Sequence, residues 1–567
     1  MEGRLHKLFT VFLLILVGLF VAGCSNNSDE SGDNSTDGTK QSGQKNTELA
    51  DEQVLHFVRN ADLPTVDLSK ATDTTSAEVI QRTHPGLITF KNQEIVPEMA
   101  AEMPEKNEDG TVYTFKLRKD VKWSNGDPLT AQDFVFAWRR LIKPETKSQY
   151  AYIMGIANVK NANKIMNKDS DIYGQVEKLG VKAIDEHTLQ VTLESPIPYF
   201  TSLMAFNKFA PLNESFVKEQ GDKYAKEPKN LLTIGPYKLT KWEHGVSWTL
   251  EKNPDYYAAN EVNITKATFK VVKEENTQLS LYKSDEIQVD SLTSEQVDAY
   301  KDTPDFQRIA GNCIFWWQLN AKKVPEFKYD NVRKAMSMII DREGLVNVLL
   351  NNGSIAAQYV VPKNFAKGPD GEDFRKGSED YLPGGVEEAK KLWKKAKEKN
   401  GFDTLKVEYV TTDGDSAAQM GEYMANQLEQ LEGLKINIKK LPWNAYLDYV
   451  QGGEYELDAG SGWCPDYKDP MTFLGYWHSD GPNENVGLNT EDYDKLIDQA
   501  RKYAKEQKPK KRWKTLKEAE KVLIENAYTI PTYQNGESMI VKPYVEGIVF
   551  QSFGIETYFR EAEVYKH

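Results

Sequence analysis

The chain has 567 residues and a formal net charge of −14, with 71 Lys and Arg against 85 Asp and Glu. That balance excludes nucleic acid as a partner, because phosphate binding needs a basic face, and it mildly favours cationic or amine-bearing ligands. The length allows two or more domain-sized units, and 28 Tyr with 11 Trp are enough to line a binding surface as well as a core.

Arg4 and Lys7 precede an apolar run from Leu8 to Val21, followed by Val21-Ala22-Gly23-Cys24. A basic segment before an apolar stretch too short for a stable membrane span predicts a secretory signal over residues 1–23. The small residues before Cys24 resemble a bacterial lipobox, which implies cleavage at Cys24 and a lipid on its thiol. Residues 25–47 hold no aromatic or aliphatic side chain that would drive packing and predict a disordered tether, 24–47. No later apolar run is long enough to span a bilayer, so a soluble body is expected.

Beyond the tether, Gln53–Val58 reads as a first strand, followed by an extended loop from Asn60 to Asp67. Period-two alternation at Tyr113/Phe115/Leu117, Leu189/Val191/Leu193, Val246/Trp248/Leu250 and Leu434/Ile436/Ile438 predicts further strands. Thr130-Ala-Gln-Asp133 is a capping signal, with Phe134, Trp138 and Leu141 then on one helical face. A second helix is expected over 416–431, its Met420, Met424 and Leu428 stripe read as core, with Gly433 just past its end. Strands and helices alternate irregularly without an internal repeat, which gives a mixed α/β architecture.

Catalytic signatures are missing: there is no G-x-S-x-G, H-E-x-x-H, C-x-x-C, G-x-x-x-x-G-K-[ST] or G-x-G-x-x-G. The seven histidines show no i,i+4 pairing, and Asp413-Gly-Asp415 is too short for a calcium loop. No enzyme activity, metal or cofactor is expected. Cys313 and Cys464 are the two cysteines left after Cys24. Two free thiols and a disulfide are both open, and an extracytoplasmic compartment favours the disulfide.

One stretch stands apart: Ser461-Gly-Trp-Cys-Pro-Asp-Tyr-Lys-Asp-Pro470. Its glycine and prolines preclude a continued helix. It reads as a loop after the strand-like Glu454–Asp458, holding Asp466 among aromatic rings. From residue types alone, an ordinary aromatic turn fits equally well.

Several segments together resemble the cluster 5 solute-binding proteins of ABC importers, specifically oligopeptide-binding lipoproteins. Val121-Lys-Trp-Ser-Asn-Gly-Asp-Pro-Leu-Thr-Ala-Gln-Asp-Phe-Val-Phe-Ala-Trp138 is the most recognisable. Thr233–Trp242, Leu250–Tyr256, Asp330–Met336 through Asp341-Arg342, and Val541–Gly547 follow in the same order. The resemblance implies a two-lobed, periplasmic-binding-protein-like type II α/β fold with an extra α/β domain, the ligand enclosed between lobes. Lobe I would comprise 48–75, 212–315 and 528–567, the extra domain 76–211, and lobe III 316–527, with crossings near 315–320 and 531–534.

The same resemblance gives Asp466 to the α-amine of an oligopeptide. A desolvated carboxylate is costly unless paired, and an ammonium supplies both charge and donors. It implies main-chain contacts at Gly462, Trp463 and Cys464, walls from Trp463, Trp443 and Tyr150, a main-chain partner in Leu63 and a polar one in Asp62. It matches Cys313 and Cys464 to positions bridged in some members, a loop closure on the order of 4–5 kcal/mol. The implied partners are oligopeptides, a membrane-embedded ABC permease, and the membrane through the lipid on Cys24; a monomer is expected. Where enterobacterial peptide binders clamp a peptide's C-terminal carboxylate, this chain has Val450, Ala459 or Gly460, and Ala417. A fixed peptide length is therefore not expected, and a specific signalling-peptide receptor is the alternative.

Overall fold

The structure is a computed structural model that describes residues 48–567 apart from 92–93, 379–380, 383, 480, 482–486 and 552–556. The expected signal peptide, Cys24 and the tether fall outside the described residues, and so does the side chain of Trp443. Among the described residues no helix is long and apolar enough to cross a membrane.

Two long strands, Phe306–Leu319 and Ile530–Val541, pair antiparallel and form the spine of a 12-stranded sheet. On one flank Leu457–Asp458, Leu405–Thr412 and Leu434–Leu441 continue it, the last two parallel. On the other lie Val289–Ser291, Val54–Arg59, Lys266–Val271, Ser247–Lys252 and Tyr237–Glu243. Parallel strands need helical crossovers that cover their faces. The chain supplies them, for example Asp415–Leu428 between Leu405–Thr412 and Leu434–Leu441. The result is the two-lobed type II fold.

The extra α/β unit is a separate antiparallel sheet of Glu105–Lys106, Val112–Lys116, Thr188–Thr192 and Val181–Asp185. Helix Ala131–Ile142 packs on it, with Phe134, Trp138 and Leu141 fully buried. Its start is a reciprocal capping box in which the Thr130 N–H donates to Asp133 Oδ2 at 2.9 Å. Both capping partners lie within one turn, which is why this boundary is readable locally.

Three expectations need correction. Val246 is 46% exposed and lies outside the strand, which begins at Ser247 because Gly245 (φ +74) makes the preceding turn. The strand read over Glu454–Asp458 is only Leu457–Asp458. Ser461–Pro470 is not loop throughout, since Gly462–Trp463 pairs antiparallel with Phe315 and Ile314. The pairing explains the glycine: a Cβ at position 462 would lie 2.6 Å from the Phe315 ring.

Cys313 and Cys464 form a disulfide across 151 residues of sequence. It ties the segment carrying Asp466 to the spine next to the Ile314–Trp463 pair. Loop closure of this length restricts the unfolded chain, so a Cys313→Ser/Cys464→Ser variant should lose about 4–5 kcal/mol. Denaturant melts of the oxidised, reduced and variant proteins measure it; equal midpoints for all three would mean that the bridge restrains nothing.

Candidate functional site

A cavity of about 990 Å³ opens between residues 149–199 of the extra α/β unit and residues 450–512, with Thr72 and Gln318 also in its wall. Its lining is rich in phenols: Tyr150, Tyr152, Tyr199, Tyr455, Tyr467 and Tyr476, with Trp463 beside them. The rings hold one another in place. Tyr199 stacks on Tyr467 at 4.4 Å, Tyr150 on Tyr152 at 5.7 Å, and Trp463 tilts against Tyr476 at 5.1 Å. Such contacts fix ring orientations while leaving wide apolar faces towards a ligand.

Asp466 lines this cavity and is 7% exposed. Its N–H donates to Thr472 Oγ1 at 3.2 Å, which sets the backbone. Among the described residues its carboxylate has no hydrogen bond or ion pair. Burial therefore raises the Asp466 carboxyl to about 7, against a smaller opposing pull from Lys208.

Asp469, three residues on, makes the contrast. Arg512 donates to both its oxygens, at 2.6 and 2.9 Å, in a buried bidentate pair. Its Oδ1 also accepts from the Met471 N–H at the start of helix Met471–Leu474. One loop thus holds two buried carboxylates, one neutralised within the protein and one without a side-chain partner among the described residues. A dry unpaired carboxylate is costly, and perturbed groups of this kind concentrate at functional sites.

Lys208 is the cationic neighbour that sequence reasoning missed. It is 2% exposed, donates to Leu68 O at 2.8 Å and Ala71 O at 2.6 Å, and lies 4.9 Å from the Tyr150 ring centroid. Burial lowers its ammonium to about 8. The sequence signal was a lone lysine inside the otherwise largely apolar Leu203–Leu212. Burial, with Asp466 adding to it, pushes the Tyr150 and Tyr152 phenols up, so both stay neutral donors.

The other expected site residues are placed as follows. Trp463 and Tyr150 line the cavity with Asp466; Gly462 and Cys464 do not, being held by the spine strand and the disulfide. Leu63 is fully buried, its N–H donating to Asp62 Oδ1 at 2.7 Å, and neither residue lines the cavity. Trp443 opens helix Trp443–Gln451, its side chain outside the described residues. Val450 does line the cavity, along with Arg501, Lys505 and Arg512, which sequence reasoning did not select.

A two-lobed α/β fold with an aromatic cavity that holds a buried carboxylate is the architecture of a solute-binding protein. Residues 94–485 match the family model for bacterial extracellular solute-binding proteins, family 5, and the chain belongs to that family. It is 37% identical to the substrate-binding domain of an oligopeptide ABC transporter from Bacillus anthracis (TM-score 0.82, covering 92% of this chain and 100% of that one). It is 34% identical to Listeria monocytogenes OppA bound to peptide (TM-score 0.81, 91% and 100%). It is also 30% identical to the pheromone receptor PrgZ (TM-score 0.81, 91% and 100%).

The charge state of Asp466 carries a stability consequence. Its folded value lies above the unfolded one, so ionisation opposes folding: the penalty begins above about pH 4 and is complete above about pH 7. Asp466→Asn should therefore stabilise the ligand-free protein at pH 8, by up to about 4 kcal/mol, with the gain vanishing towards pH 4. Thermal melts of both proteins across that range test it; a gain independent of pH would refute the assignment.

Proposed function

We propose that the chain is an extracytoplasmic receptor, lipid-anchored through Cys24, that binds oligopeptides and delivers them to an ABC permease. The observation that carries this reading is the buried Asp466 carboxylate, left without a counter-charge beside the neutralised Asp469–Arg512 pair. A peptide's α-ammonium supplies the missing charge and donors in one group. The similarity to a peptide-bound binding protein and to an oligopeptide transporter's substrate-binding domain supports the ligand class. The family is one of solute-binding proteins, and no turnover is proposed. Lobe I comprises 48–75, 212–315 and 528–567, and lobe III 316–527. The two paired spine strands provide the crossings.

In this reading Asp466 fixes the start of the peptide, Lys208 keeps its own hydrogen bonds and tempers the local field, and the phenols and Trp463 accommodate side chains on apolar faces. Wide apolar aromatic faces discriminate weakly, which suits a nutritional receptor. The similarity to PrgZ favours the second reading, a receptor for one signalling peptide. A binding panel of unrelated peptides separates them: comparable affinities support uptake, one tight sequence supports signalling.

Two measurements test the amine anchor. Asp466→Asn should weaken a free-amine peptide by tenfold or more, in line with roughly 1.5–3 kcal/mol for a charge-assisted hydrogen bond, and leave its N-acetylated form nearly unchanged. Equal losses for both would sink the assignment. The pH profile is the second. Asp466 titrates near 7 in the free protein and is pulled down by the ammonium, so affinity falls as pH drops below 7 and binding there releases a proton. Above about 8 the α-amine itself deprotonates. Titration calorimetry should give a maximum between these limits; a flat profile from pH 5 to 9 would contradict it.

A further inference from the structure

The two walls of the cavity meet in the stack of Tyr199 on Tyr467, and each ring is held firmly by its own side. Tyr199 ends the segment Ser195-Pro-Ile-Pro-Tyr199, whose two prolines fix φ and keep the residues before them extended. Its carbonyl accepts from the Ser202 hydroxyl at 2.9 Å and the Leu203 N–H at 3.0 Å, within the turn of helix Phe200–Leu203. Phe200 is fully buried against the extra unit's sheet, 4.4 Å from the Tyr113 ring. On the other wall Tyr467 is 3% exposed, and its carbonyl accepts from the Asp469 N–H at 2.9 Å. Arg512, locked on Asp469 by two hydrogen bonds, places its guanidinium 5.9 Å from the centroid of the Tyr199 ring. The two tyrosine rings lie 4.4 Å apart with 22° between their planes. Tyr199 therefore belongs to the extra unit by its backbone and to the loop 461–470 by its ring.

Aromatic pairs gain from ring geometry beyond the area they bury, and a cation held near a ring face adds to this. Because both walls are stiff, the stack is made or lost as a unit rather than yielding gradually. We propose that Tyr199 is a positioning residue, a latch by which the extra α/β unit holds the cavity closed over Asp466 and sets how long a ligand stays. Asp466, next to Tyr467 and 7% exposed, then exchanges its ligand with solvent only as the stack opens. The ligand class rests on the peptide-receptor reading, which the latch deepens: Asp466 holds the peptide, and Tyr199 governs its release. A contact between two walls is the same whatever side chains the ligand carries. It therefore slows the departure of every peptide by one factor, whereas a wall pressed on the ligand discriminates among them. Affinity changes of this origin fall in the dissociation rate.

The test uses the full receptor and free-amine alanine peptides, unmodified or with Leu or Glu at each position in turn. Stopped flow on the receptor's tryptophan fluorescence follows binding and release, Trp463 lying in the cavity wall. Tyr199→Leu keeps an apolar wall and removes the stack; it should speed dissociation by about fivefold, equally for every peptide, with association no slower. Tyr199→Phe keeps the ring and should release at the wild-type rate. Tyr199→Met serves should the leucine variant fail to fold, as its thermal melt reports. Unchanged dissociation, a loss that depends on the side chain at one peptide position, or an equal effect of Tyr199→Phe would overturn the latch and leave the receptor reading standing. If no free-amine peptide binds the wild type, the receptor reading falls and the ligand-free protein decides the latch. Hydrogen exchange over 461–472 should then be faster in Tyr199→Leu than in the wild type, and equal exchange overturns it.

Discussion

A buried carboxylate without a counter-ion among the described residues is the constraint around which this site is arranged. Burying Asp466 costs stability that the folded protein does not recover by itself, since Lys208, the cation whose charge pulls on it, donates to the Leu68 and Ala71 carbonyls and forms no ion pair with it. The enclosure of Asp466 is therefore maintained against its own cost by the packing around it: the Tyr199–Tyr467 stack, the Asp469–Arg512 pair and the Thr472 hydroxyl on the Asp466 N–H. Breaking a buried pair such as Asp469–Arg512 would leave a second uncompensated charge in the same loop. The pair thus makes the single exception tolerable.

The strand Phe306–Leu319 converts that local arrangement into a placed one. Within a few residues it carries the disulfide at Cys313 and the pairing of Ile314 and Phe315 with Trp463 and Gly462. Gly462 lets the loop lie flat on the Phe315 ring, where any side chain would collide. Two constraints of different kinds, one covalent and one steric, fix the segment from which Asp466 projects. A site meant to discriminate needs that rigidity, because loosely held groups lose selectivity first.

The parts of this protein legible in the sequence are those whose physics is local. The Thr130–Asp133 capping box and the buried faces of Val112–Lys116 and Thr188–Thr192 depend on neighbours a few residues away, whereas the helix expected to 431 ends at Leu428, five residues before Gly433. Tyr150, Trp463 and Asp466 were singled out through resemblance to other chains. No spacing distinguishes Asp466 from Asp469. What separates them is Arg512, 43 residues further on, which reaches back to one and not the other. Lys208 was invisible for the same reason. A lysine among apolar residues acquires meaning only when distant segments close around it.

The two buried carboxylates of this loop differ in what they ask of their surroundings, and the difference is thermodynamic. In the peptide-receptor reading proposed above, the Asp466 carboxylate would respond to charge, which every free peptide N-terminus carries, and would contribute affinity without distinguishing sequences. The Asp469 carboxylate is already held by Arg512 and asks nothing of a ligand. In that reading one desolvated charge would supply affinity for a cationic group, while apolar aromatic faces, which discriminate weakly, would leave the choice of side chains broad.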